Sequence, residues 1–96
     1  MAASPPRTIT FAIWGPIARD DLAGLSHRIC ALLEHTRAEI AVCDVADIPV
    51  DAVTVDALAR LALVARRRSC SIQLQHASEQ LRDLAAFMGL QDVLVL

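Results

Sequence analysis

The feature that most constrains this chain is a change of hydrophobic period that recurs along it. Residues 8–14, TITFAIW, alternate: Ile9, Phe11 and Ile13 fall on one side, Thr8, Thr10, Ala12 and Trp14 on the other. A period of two marks a strand with one buried face, and Gly15-Pro16 ends it. From about Arg19 to His35 the period becomes helical. Leu22, Leu25, Ile29, Leu32 and Leu33 form one stripe, Asp20 or Asp21 can cap the first turn, and Gly24 suggests close packing against a neighbour. EIAVCDV (39–45) is a continuous apolar run, too short for a helix and suited to a strand buried on both faces.

The pattern then repeats. Residues 46–53, with Pro49 and the nearby Asp44, Asp47 and Asp51, read as a loop. Thr54 is the expected N-cap of a second helix, TVDALARLALVARRR, with Val55, Leu58, Leu61, Ala62 and Ala65 as its buried stripe. Asp56 and the run Arg66-Arg67-Arg68 complement the two ends of its dipole. SIQLQ (71–75) alternates as a strand, Ser78 caps a third helix, and Gly89 with Leu90 supplies a left-handed stop. DVLVL (92–96) is the expected fourth strand. Strands alternating with helices imply an α/β domain of about four mostly parallel strands and three helices over residues 7–96, behind a flexible tail at 1–6.

Composition narrows the function. Ninety-six residues hold one domain, and 55% hydrophobic with 21% charged residues excludes disorder. No stretch approaches the roughly 20 apolar residues of a membrane span, so no direct membrane insertion is expected. Net charge is −2, with eleven acids against nine bases, which argues against a nucleic-acid partner. Cys30, Cys43 and Cys70 are odd in number, and MAASPPRTIT lacks an apolar signal core, so reduced thiols in a cytoplasmic protein are expected. His27 and Cys30 share a helical spacing, but two ligands do not make a metal site. The turn after the first strand lacks the glycines and lysine of a phosphate loop, and no GxSxG elbow exists. No catalytic residue, cofactor or metal is expected; an enzyme would have to rely on Cys70 or His76.

Four strings, taken in order, resemble the STAS domain (sulphate transporter and anti-sigma-factor antagonist). ITFAIWGPIARDDLAGL looks like that family's strand, turn and acid-led helix. AVCDVADI looks like its buried strand, with Asp44 in the place of the family's Asp. The helix beginning at Thr54 takes the position of the D-S-[ST]-G phosphorylation motif, and ASEQLRDLAAFMGLQDVLVL looks like the closing helix and strand. The likeness spans residues 8–96. The chain departs from the pattern where it matters: Asp51-Ala52-Val53-Thr54-Val55-Asp56 holds no serine or glycine, and Ala18 stands where the turn often has Asp. Only seven residues precede Thr8, so the family's first strand is expected to be missing.

The resemblance implies a non-enzymatic module that binds a regulatory, kinase-like anti-sigma partner through residues 47–58. Asp47, Asp51, Val53, Thr54, Val55 and Asp56 are its expected contacts, and Thr54 its sole phosphorylation candidate. Asp51 and Asp56 would repel a phosphate on Thr54 and could instead hold a fixed negative charge. The alternative is an accessory STAS subunit of a phospholipid-type ABC transport complex, contacting its ATPase. Trp14 is expected in the core, and an uncovered first strand would permit a homodimer.

Overall fold

The computed structural model describes residues 7–15 and 19–94. Strands β1 (Thr8–Ala12), β2 (Ile40–Asp44) and β3 (Ser71–Gln75) alternate with helices α1 (Leu22–Thr36), α2 (Ala52–Arg67) and α3 (Glu79–Phe87); a 3-10 turn, Arg19–Asp21, leads into α1. The sheet is parallel in the order β1-β2-β3. Thr8, Ile40 and Ser71 align where the strands start, and Ala12, Asp44 and Gln75 where they finish. Both crossovers step the same way across the sheet, so the right-handed sense carries α1 and α2 to one face. There α2 packs between α1 and α3.

The core lies on that face. Ala41, Cys43, Val45, Ile72 and Leu74 are buried under Val55, Leu58, Leu61, Ala62 and Ala65 of α2, with Ile29 and Leu33 of α1 and Leu81 and Ala85 of α3 completing it. On the opposite face Thr8, Thr10, Ala12, Ser71, Gln73 and Gln75 are exposed and Ile40, Val42 and Asp44 half-buried. The expectation that 39–45 is buried on both faces is therefore corrected. Among the described residues, Ile40 and Val42 are shielded by flanking strands rather than by a second layer, so an apolar run reads as more buried than it is.

Two helix ends follow the sequence closely. Ser78 Oγ accepts from Leu81 N–H at 3.1 Å and caps α3. At its other end Gly89 is left-handed (φ 74°), while Leu90 N–H donates to Ala85 O at 2.8 Å and Gly89 N–H to Ala86 O at 3.0 Å, a Schellman closure. The last turn of α2 closes the same way with Ser69 in the left-handed position (φ 59°) and Cys70 N–H on Ala65 O at 2.9 Å.

Three expectations give way. The sheet has three strands, not four: among the described residues, 91–94 form a turn, with Val93 and Leu94 N–H both returned to Leu90 O at 3.0 Å. Leu94 is buried in the core, so its side chain serves as a plug; residues 95–96, like the tail at 1–6, lie outside the described residues. Trp14 is 71% exposed rather than in the core. Trp14 lies past the end of β1, beside Leu25 and Arg28 of α1, where its ring stays largely open to solvent. Gly24 has open space where a Cβ would stand, so it marks no close approach.

Candidate functional site

The bend between β2 and α2 is built from short local bonds. Asp44, the last residue of β2, accepts from Ala46 N–H at 3.0 Å through Oδ1, which also meets His76 Nδ1 at 3.1 Å. The Ala46 amide first, then His76, hold the Asp44 carboxyl below the usual carboxylate range. Ile48 is buried and its N–H bonds to Val45 O at 3.4 Å, which fastens the middle of the bend to the core. Gly15 N–H reaches Asp47 O at 3.3 Å, so the end of β1 braces the bend from the side. Around these fixed points Asp47, Val50, Asp51 and Ala52 are exposed.

Helix α2 begins three residues before the sequence pattern suggests, and Asp51 rather than Thr54 is its cap. Asp51 Oδ1 accepts from Thr54 N–H at 2.7 Å, with an extended backbone at Asp51 itself. Asp51 and Thr54 are both good capping types, and tertiary packing decides between them. Thr54 falls at the third helical position, where it is fully buried and its Oγ1 has no hydrogen-bond partner among the described residues. An unpartnered buried hydroxyl costs roughly 1–3 kcal/mol. Val55 is also fully buried. The predicted contact set therefore divides: Asp47 and Asp51 are exposed, Val53 and Asp56 half-buried, and Thr54 and Val55 lie inside.

Val53 and Asp56 line a shallow groove of about 540 Å³ with Ala52, Leu22, Arg60 and Met88. Asp56 Oδ2 is paired along the helix with Arg60 Nε at 2.9 Å. Leu22 and Met88 come from the start of α1 and the end of α3. No local signal shows that two flanking helices bring them beside α2.

The remaining chemistry is subdued. Cys43 and Cys70 are buried; burial, with Asp44 adding to it, pushes the Cys43 thiol up to about 12, and burial also raises Cys70. Both therefore stay protonated and poorly nucleophilic near neutrality. Cys30 is half-buried on α1. Among the described residues no three His, Cys, Asp or Glu side chains gather as a metal site would require, and no helix is long and apolar enough to cross a membrane.

No protein-family model matches this chain, and no curated protein matches it. Solved structures do. The STAS domain of a SulP transporter from Vibrio cholerae superposes with a TM-score of 0.71 at 13% identity, covering 98% of this chain and 77% of that one. The anti-sigma factor antagonist SpoIIAA in its unphosphorylated form gives a TM-score of 0.68 at 12% identity, covering 98% of this chain and 83% of that one. With three parallel strands and three helices in this arrangement, the chain has the fold of a STAS domain.

Proposed function

We propose that this chain is a non-enzymatic protein-interaction module of the anti-sigma-factor-antagonist type, working in the cytoplasm. It binds a regulatory partner through the bend and helix start at residues 47–58. The observation that carries this reading is a bend with exposed Asp47, Val50, Asp51 and Ala52, pinned from beneath by Ile48 and from the side by Gly15. Such a surface is formed before a partner arrives, which lowers the ordering cost of binding. The likeness of the fold to SpoIIAA supports the same reading.

Within it the six expected residues take different roles. Asp47, Asp51, Val53 and Asp56 make the contacts, and Thr54 and Val55 support them from below. Modification of Thr54 requires the first turn of α2 to open, because its hydroxyl has no accessible surface. Asp51 and Asp56 instead present a constant negative charge. An Asp51→Asn/Asp56→Asn variant that remains folded should lose most of its affinity for a partner recovered from the native host. Unchanged affinity refutes the assignment, and mass spectrometry of the 51–60 peptide reports whether Thr54 ever carries phosphate.

The SulP transporter likeness favours a second reading, an accessory STAS subunit of a transport complex, of the phospholipid-type ABC class, that contacts the ATPase through the same bend. The identity of the recovered partner separates the two: a kinase-like anti-sigma protein supports the first, a transport ATPase the second.

A further inference from the structure

Charge is sorted along the strand direction. Where the strands finish stand Asp44 and Asp47, with Asp51 at the start of α2 and Asp20 and Asp21 in the turn before α1. Where the strands start, Arg7, Arg37 and Arg68 lie close before β1, β2 and β3, with Arg66 and Arg67 on the last turn of α2. Carboxylates also stand at that basic end: Glu34, paired with Arg68; Glu39; and Asp92, next to Val93, which lines a cleft there. Helix dipoles account for acids at helix starts and arginines at helix ends. They do not account for Arg7, Asp44 or Asp47, which belong to strands and the bend.

Each end also has an apolar element that fits the other. Trp14 stands 71% exposed at the acidic end, tied to the bend through its neighbour Gly15 and flanked by Leu25 and Arg28. At the basic end a cleft of about 230 Å³ opens between α2 and β3, with Ala62 and Ile72 as its apolar wall and Arg66 and Glu39 at its rim. That volume is comparable to one large aromatic side chain, and a guanidinium beside an indole face adds a cation–π attraction.

We propose that the acidic end of one copy docks on the basic end of a second, with Trp14 seated in the Arg66 cleft. The two surfaces differ, so the contact is head-to-tail and open-ended rather than a closed two-fold dimer. This inference is independent of the partner reading above, since it concerns the purified chain alone.

Trp14 is the only tryptophan and reports directly. Between about 10 μM and about 1 mM in low salt, sedimentation should show growth beyond the monomer together with a blue shift of Trp14 emission. About 0.5 M salt should reverse both. Asp20→Lys/Asp47→Lys and Arg66→Glu/Arg67→Glu should each weaken self-association by roughly tenfold or more. Mixed together, they should recover association, because the unaltered acidic end of the second variant still meets the unaltered basic end of the first, and the two swapped ends are again opposite in charge. If either variant folds poorly by circular dichroism, the neutral Asp20→Asn/Asp47→Asn and Arg66→Gln/Arg67→Gln pairs take their place, with weakened association again expected. A wild type that stays monomeric across this range, association that ignores salt, or a charge variant that associates as well as wild type overturns the proposal.

Discussion

Helices α1 and α2 are nearly equal in length, at 15 and 16 residues, yet α2 has eight buried residues and α1 has Ile29 and Leu33. Their starts differ as well. Asp51 caps α2 through its side chain, whereas Asp21, at the head of α1, makes no side-chain cap. The sheet order explains the contrast. The crossover from the central strand to β3 sets α2 between two other helices, while α1 flanks the layer. A surface needed for recognition benefits from standing on the better-anchored helix, and the exposed bend leads directly into α2.

Substitutions can break or sharpen that contrast. The largest effect should come from Thr54→Asp, which places a carboxylate where the wild-type side chain has no exposure: a loss of several kcal/mol, or failure to fold, in a urea titration. Leu58→Ala should cost about 2–5 kcal/mol, and Leu25→Ala on half-buried α1 no more than about half as much. Equal losses would dissolve the distinction between the two helices. Thr54→Val tests the same spot with the opposite sign. It removes the unpartnered hydroxyl and keeps the shape, so stability should rise by about 1 kcal/mol. Asp51→Ala should cost about 1 kcal/mol through the lost cap, measurable as a lower midpoint in the same titration.

Thiol chemistry compares the two helices without mutation. Cys30, half-buried on α1, should react with a soluble disulfide reagent in the native state. Cys43 and Cys70, buried against α2 and the sheet, should react slower by on the order of 100-fold or more, at the rate at which the core opens. The smallest effect concerns Asp44. Its carboxyl is held low by the Ala46 amide and then by His76, so its contribution is present above the ordinary aspartate range and fades as pH falls through the lowered folded value. Asp44→Asn should therefore lower the neutral plateau slightly and flatten the acid limb below about pH 4, so that the two curves converge at low pH.

Much of the fold is legible in the sequence because the signals are local. The alternation of TITFA and SIQLQ, the stripe of α2, the Ser78 cap and the Gly89 stop each depend on residues a few positions apart, and each stands in the structure as read. The candidate site is less legible. Its acids are visible, but Thr54 and Asp51 are both suitable caps, and only the depth at which α2 sits on the sheet selects Asp51 and buries Thr54. Leu22 and Met88 enter the groove through helix packing that no spacing encodes.

What the order of residues determined by itself is the type, sequence and approximate extent of three strands and three helices, since backbone period and capping chemistry act over one or two turns. What only the tertiary structure decided is where each element's second face goes. Among the described residues no second layer covers Val42 and Trp14 stays exposed, while Val93 and Leu94 return to Leu90 instead of joining the sheet. Burial and strand pairing are properties of neighbours brought from far along the chain, and an apolar residue looks the same in sequence whether or not such a neighbour arrives.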